Sequence, residues 1–371
     1  MRVLVVTGSS GGHIFPALAL VDSLKATSNQ ILLVLPQKSK ENKIFPQTDC
    51  NIAKPNQAAG VEVKYIHTVN LDLSLSKKNI SGAYFFLLAA WESLRMIMKF
   101  KPDVVVGFGS LNTVALIFWA WLFRINTIIH EQNVVPGRAN RLLAKLADKV
   151  AISFILTSSY LKVSREKIIL TGNPIRKDLV KLDRKEALDF FKFKEGKFNI
   201  LITGGSQGSH KLNTVCLAAF SACPVKNDLQ VIHISGPEDF ALLKQAYADS
   251  GITYKVFDFF SPMQYAYSVA DLVICRSGAT TIAELQRFSL PALLIPYPFA
   301  YAHQLNNARI LEDSGSALII RDEELSSEKI SDKLLEFLED PQKLKIMRQA
   351  YAKSQVLDAT SLLTNEVLCL N

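Results

Sequence analysis

Twice along these 371 residues a short β-branched run ends in a glycine-rich loop and passes straight into a helical pattern. Arg2–Thr7 runs into TGSSGGH (Thr7–His13), ahead of a helix expected to begin near Pro16, and Asn199–Thr203 runs into TGGSQGS (Thr203–Ser209). A strand that turns through glycines into a helix opens a parallel α/β unit, because a parallel neighbour is reached only over a crossover. More strands are expected at Ile31–Leu35, Val61–Ile66, Val104–Phe108, Thr127–His130 and Lys149–Ile152. The second half repeats the series at Gln230–Ile234, Thr253–Phe257, Leu272–Cys275, Ala292–Ile295 and Ala317–Ile319. The fold class is α/β, two doubly wound parallel-sheet domains expected to face each other across a cleft.

The joint is placed at TGNPIR (Thr171–Arg176), where Pro174 restricts Asn173 and stops a helix. Residues 1–173 form the first domain and 174–349 the second. Pro341–Val367 reads as helical, and the last helix, from about residue 350 to 371, is expected to pack back on the first domain.

Five scattered cysteines with no CxxC pair give no support to a disulfide framework or zinc site and suit a reducing compartment. The N-terminus runs directly into a strand pattern, so no secretory leader is expected. The apolar stretches Ala83–Trp91 and Val114–Phe123 fall short of the roughly 20 residues that span a bilayer, so the expected location is cytosolic or peripheral. Residues 1–170 carry 20 Lys and Arg against 10 Asp and Glu, whereas the remainder carries 22 against 24. A basic first half suits an anionic partner, nucleic acid or lipid, or simply a solvated surface. Tyr84, Leu87, Leu88, Trp91, Leu94 and Met98 form a helical stripe beside Arg95, Lys99 and Lys101. Most of that stripe is expected to pack inward, with part of Ala83–Trp91 exposed. Val114–Phe123, apolar all round, is expected to be core.

The two glycine loops suit anions, since glycine permits close approach and a helix start offers unpaired N–H groups. The first loop is not GxGxxG, and no acid ends the second strand, which disfavours a dinucleotide; the second lacks the GK[ST] of a nucleotide hydrolase. CRSGATTIAEL (Cys275–Leu285) sets Thr280 and Glu284 four apart on one helix face, suited to ribose hydroxyls or to a solvated helix surface. HEQN (His130–Asn133) puts four polar residues at a strand end, and in YAHQLNNA His303 and Gln304 open a helix. No HExxH or DxD occurs, so no metal or cofactor is expected.

Taken in order, SSGGHIFPALAL, KPDVVVGFGS, IIHEQNVVPGRANRLLAKLADKV, TGNPIR, ILITGGSQGSHKLN, ICRSGATTIAEL and HQLNNA resemble one family over nearly the whole chain. This is the MurG family of UDP-N-acetylglucosamine:N-acetylmuramyl-(pentapeptide)-pyrophosphoryl-undecaprenol N-acetylglucosaminyltransferases, and HEQN followed by GxxNRxLA is its most specific piece. The resemblance implies two Rossmann-like domains (the GT-B fold), metal-free inverting transfer, and a peripheral place on the cytoplasmic membrane face. Partners would be UDP-N-acetylglucosamine, a polyprenyl-diphosphate-linked muramyl peptide and the anionic membrane surface, with no nucleic acid. The second domain would hold the UDP-sugar and the first the lipid acceptor.

Matched by position, the donor site implied by the resemblance comprises Ser10, Gly11, Gly12, Asn133, Arg176, Ser206, Phe260 by its backbone, Ala279, Thr280, Thr281, Ile282, Ala283, Glu284 on the ribose, and Gln304 on the sugar. Gly11, Gly12, Gly109 and Ser110 would meet the acceptor diphosphate, and His13 would be the general base. Two loops depart from the family pattern: GSSGGH stands for GGTGGH, and Ser110-Leu111 for a glycine and a tyrosine. Both belong to the acceptor side, which leaves a diacylglycerol acceptor as one alternative and a UDP-sugar epimerase as another.

Overall fold

The structure, a computed structural model, describes residues 1–27, 29–37, 60–67, 78–298, 303–353 and 357–370, with the backbone alone at 78–84 and 353. It divides into two compact units. Unit 1 is Met1–Arg176 with Leu357–Asn371, and unit 2 is Lys177–Val356. The chain thus passes between units after Arg176, where the sequence suggested Asn173, and returns at Leu357 instead of near residue 350.

Unit 1 holds a seven-stranded sheet in the order β3-β2-β1-β4-β5-β6-β7. The strands are β1 (Arg2–Val6), β2 (Gln30–Pro36), β3 (Val61–Ile66), β4 (Val104–Gly107), β5 (Asn126–Glu131), β6 (Lys149–Ile152) and β7 (Ile168–Leu170). Every pairing is parallel. Because side chains alternate along a strand, β1 feeds two cores. Val3 and Val5 meet Ile14, Leu18 and Val21 of α1 (Gly11–Lys25) with Leu363 and Val367 of the returning C-terminal helix (Ala359–Leu368). Leu4 and Val6 meet Ala89 and Ile97 of α2 (Lys78–Phe100) with Leu116 and Ile117 of α3 (Leu111–Leu122) and Leu143 of α4 (Arg138–Leu143). Strand β7, three residues at the sheet edge, had no sequence signal.

Two expectations about the apolar helices are corrected. In α2 the inward stripe is Ala89, Ser93, Met96 and Ile97, whereas Leu87, Trp91 and Met98 point outward, Leu87 being 69% exposed. Tyr84, by its side chain, lies outside the described residues. Val114–Phe123 is core only along Ala115, Leu116, Ile117 and Ala120; Phe118, Trp121, Leu122 and Phe123 are exposed. A helix that covers one face of a sheet can bury only one stripe, whatever its composition. Trp119 donates its indole N–H to the Ala90 carbonyl at 2.9 Å and ties α3 to α2. Among the described residues no helix is long and apolar enough to cross a membrane.

Unit 2 holds a six-stranded parallel sheet in the order β10-β9-β8-β11-β12-β13. Its strands are β8 (Phe198–Thr203), β9 (Leu229–Ile234), β10 (Thr253–Phe257), β11 (Leu272–Cys275), β12 (Ala292–Leu294) and β13 (Ala317–Ile319). Its helices are α5 (Arg184–Phe191), α6 (His210–Ser221), α7 (Phe240–Ala248), α8 (Met263–Val269), α9 (Ala279–Phe288), α10 (His303–Asp313), α11 (Ser327–Glu339) and α12 (Pro341–Ala350). Ile200 and Ile202 anchor a core with Leu212 and Phe220 of α6, Phe337 of α11, and Leu344 and Met347 of α12. The helix expected across Pro341–Val367 is two: α12 ends at Ala350, and α13 (Ala359–Leu368) restarts where the Asp358 carboxylate caps Ser361 N–H at 3.2 Å.

Candidate functional site

In unit 1 the first glycine loop leaves the carboxyl end of β1, and α1 begins at Gly11 rather than near Pro16. Gly11, Gly12 and His13 therefore form its first turn. Ser10 sits at the N-cap in extended conformation without capping by its side chain. Its hydroxyl instead lies 2.7 Å from His13 Nδ1. The His13 ring is wedged between two glycines. A Cβ on Gly8 would come within 2.8 Å of Nδ1, and one on Gly109 within 3.4 Å of Nε2. Loss of water around the ring pushes the His13 pKa down to about 4, so the imidazole is neutral near pH 7.

Beside it the loop between β4 and α3 runs through Gly109 at φ +85° and Ser110 at φ 75°, ψ 165°. Such a conformation belongs to glycine, and a serine there stores on the order of 1–3 kcal/mol. The Ser110 hydroxyl is buried and unbonded within the described residues, as are Gln132 Oε1 and Asn140 Oδ1. Asn140 borders Gly109, and Gln132 donates to the Phe108 carbonyl at 3.4 Å, so these orphans gather at one sheet end. Buried polar atoms gathered without partners make this sheet end a candidate for a polar ligand.

HEQN divides its labour. His130 is fully buried, donates Nε2–H to the Gly172 carbonyl at 2.9 Å and accepts from Gln132 at Nδ1 at 3.1 Å. Burial pushes its pKa to about 4 as well. Glu131 uses Oε1 for Asn133 N–H (2.9 Å) and the Asn133 amide (3.2 Å), and Oε2 for Gly137 N–H (3.0 Å) and Asn140 (2.8 Å). This carboxylate knits the loop to the start of α4 and thereby orients Asn133 and Asn140. Arg176, the last residue of unit 1 before the crossing, lies over the Phe15 ring at 5.7 Å.

In unit 2 the loop after β8 is locked backbone against backbone. A Cβ on Gly208 (φ +77°) would fall 2.0 Å from the Ser235 carbonyl oxygen, and one on Gly236 2.5 Å from that of Gln207. Ser206 sits half-buried at the turn. Underneath, Asn213 donates to the Ser235 carbonyl (2.8 Å) and to Asp239 (2.8 Å), so its oxygen accepts from His233 Nε2 at 3.0 Å. His233 Nδ1 in turn accepts from the Tyr247 hydroxyl at 3.0 Å.

Arg276, quoted within its motif but given no role from sequence, holds the loop from the other side. It donates to Ser209 Oγ (2.8 Å), to the Ile295 carbonyl (3.2 Å) and to Asp322 (2.6 Å). Burial opposes the Asp322 charge, yet Arg276 and Lys211 keep its pKa below the ordinary range. The one signal in sequence was a charge directly after an apolar strand. Gly8 and Asn140 were likewise missed, since Gly8 also abuts Ser110 and Asn140 reaches back to Glu131.

At the end of β11, Gly278 caps α9 without a side chain, leaving the Ala279, Thr280 and Thr281 N–H groups beyond the reach of helical bonding. Thr280 Oγ1 is buried without a partner among the described residues. Ile282 points into the core, so it and Ala283 offer backbone only. Glu284 is half-buried, and the Tyr267 hydroxyl donates to its Oε2 at 2.7 Å. Gln304 turns its amide oxygen to Ser277 N–H (3.2 Å) and Tyr297 N–H (3.0 Å), fastening the start of α10 to the loops after β11 and β12. Phe260 follows β10 and buries its ring among Phe191 and Phe257, leaving its backbone at the sheet end. Unit 2 thus brings Ser206, Phe260, Ala279–Glu284 and Gln304 to one carboxyl edge, and unit 1 brings Ser10–His13, Gly109, Ser110 and Asn133 to the other.

Residues 3–152 match the glycosyltransferase family 28 N-terminal domain and residues 199–363 its C-terminal domain. The chain is 37% identical over 358 residues to the UDP-N-acetylglucosamine--N-acetylmuramyl-(pentapeptide) pyrophosphoryl-undecaprenol N-acetylglucosamine transferase of Halothermothrix orenii, covering 94% of each. It is 39% identical over 357 residues to the protein of the same name from Thermodesulfovibrio yellowstonii, covering 94% of this chain and 93% of that one. The crystal structure of Acinetobacter baumannii MurG aligns over 99% of both chains with a TM-score of 0.74 and 26% identity.

Proposed function

The chain belongs to glycosyltransferase family 28 and within it to the MurG N-acetylglucosaminyltransferases, and from that premise we propose that it transfers N-acetylglucosamine from UDP-N-acetylglucosamine to the 4-hydroxyl of polyprenyl-diphosphate-linked N-acetylmuramyl pentapeptide, with inversion. The carrying observation is the match to named transferases along both units, 37–39% identical end to end. The direct test is labelled sugar transfer offered lipid-diphosphate muramyl peptide beside diacylglycerol. Transfer to diacylglycerol alone, or epimerisation of the UDP-sugar with no acceptor present, would overturn it.

The acceptor oxygen attacks the anomeric carbon as the bond to UDP breaks, and negative charge grows on the departing diphosphate. Fixed N–H donors aimed at such charge stabilise it without reorganising. The open N–H groups of α9 and the Ser206 turn supply them, with Arg176 as the cation. Glu284, its rotamer held by Tyr267, takes the ribose hydroxyls. His13 receives the proton of the attacking hydroxyl. Its neutral ring can accept one, and an acceptor diphosphate beside Gly11, Gly12, Gly109 and Ser110 would raise its basicity by placing anionic charge nearby.

The outward faces of α2 and α3 supply the membrane contact. Leu87, Trp91, Trp121 and Leu122 are exposed there, and Arg95 lies over Trp91 at 5.4 Å. Each basic residue near anionic lipid contributes about 1 kcal/mol. Co-sedimentation with anionic vesicles should weaken with salt and with Trp91→Glu; binding indifferent to both would count against this surface.

A further inference from the structure

The loops assigned to the donor all leave the carboxyl ends of the unit 2 strands. At the opposite, amino ends the same unit carries an open pocket of about 540 Å³, a volume suited to a small molecule. Part of its wall is apolar: Phe198 at the start of β8, Leu338 of α11 and Leu344 of α12. The rest is charged, with four cations and two acids. Both acids are already engaged. Lys197 binds Asp228 at 2.7 Å, and Arg184 binds Asp271 at 2.8 Å. Asp271 also accepts from Asn199 N–H (2.9 Å) and the Asn199 amide (3.2 Å).

The two remaining cations, Arg348 and Lys345 of α12, make no hydrogen bond or ion pair among the described residues. Arg348 is half-buried, and burial together with the charge of Arg184 lowers its pKa despite the attraction of Asp271. A guanidinium partly out of water, near a second one and without a hydrogen-bond partner among the described residues, is better satisfied around an anion. We propose that this pocket is a second ligand site, separate from the donor loops, for a small organic phosphomonoester. The pocket's four cations exceed its two acids by two, which matches its double negative charge, and Phe198 with Leu344 match an apolar body.

Isothermal titration of the full chain with phenyl phosphate tests it. One molecule should bind per chain, more tightly than inorganic phosphate. Arg348→Gln should raise Kd about tenfold or more, the loss of one charged hydrogen-bond partner. UDP affinity should be unchanged in the same variant. No heat with the wild type, unchanged affinity in Arg348→Gln, or a parallel loss of UDP binding would overturn the site. Phenyl phosphate binding no tighter than inorganic phosphate would remove the apolar part. Should Arg348→Gln fail to fold, the exposed Lys345→Gln decides: a Kd raised several-fold supports the site, and an unchanged one ends it.

Discussion

The two glycine loops occupy equivalent places in the two sheets and are built in opposite ways. In unit 2 the glycines are forced by backbone meeting backbone, Gly208 against Ser235 and Gly236 against Gln207, with Arg276 and Asn213 fastening both turns. In unit 1 they make room for a side chain: Gly8 and Gly109 flank the His13 ring, and buried polar atoms around it lack partners among the described residues. The same sequence signal therefore serves two ends. One loop is fixed by backbone contacts; the other packs around an imidazole and leaves several buried polar atoms without a partner among the described residues.

If that contrast is right, His13→Ala should lower kcat by about 10²- to 10⁴-fold, the usual contribution of a general base, while leaving the thermal midpoint almost unmoved. Turnover near the wild-type value would break the contrast at its chemical end. Gly208→Ala should do the reverse. Strain at positive φ and a clash with the Ser235 carbonyl should cost about 3 kcal/mol or more in denaturant unfolding, with UDP binding lost alongside. A variant as stable as the parent would show that the cradle is not locked.

Glu284→Ala should raise KM for UDP-N-acetylglucosamine about tenfold, with kcat little changed if its bond to the ribose persists from ground state to transition state. Two histidines with lowered pKa give a pH test. His13 and His130 fall from 6.5 to about 4 in the fold, so between those values the unfolded chain binds more protons. Stability present above pH 6.5 is lost as pH falls through that window, and these groups add no further loss below about pH 4. His130→Gln, which keeps a donor for Gly172, should flatten that part of the curve in thermal melts across pH. The smallest effect belongs to Gly12→Ala, where a Cβ would meet nothing nearer than Ser10 Oγ at 4.0 Å. Stability should shift by under about 1 kcal/mol; a larger loss would mean that unit 1 is locked like unit 2.

Strand positions were legible because β-branched runs bounded by glycine carry their own period. Val61–Ile66 and Lys149–Ile152 fall where the pattern put them. Ile168–Leu170 was not, since three residues give no period and the strand exists only by pairing with β6. The helix start at Gly11 was misplaced toward Pro16, a residue that α1 carries inside it. Of the site, the residue types at the loops could be read directly. The partners that hold them could not: Arg276 reaches Ser209 across 67 positions, and Asn140 reaches Glu131 from the following helix.

The sequence alone determined the parallel α/β halves and the family, because periodicity and ordered motifs are local properties that survive without a third dimension. Only the tertiary structure decided which side of each apolar helix faces water, which glycines are sterically required, and which cations lack a hydrogen-bond partner among the described residues. Those depend on what a residue packs against, and packing partners far apart in the chain leave no mark on the sequence near either one.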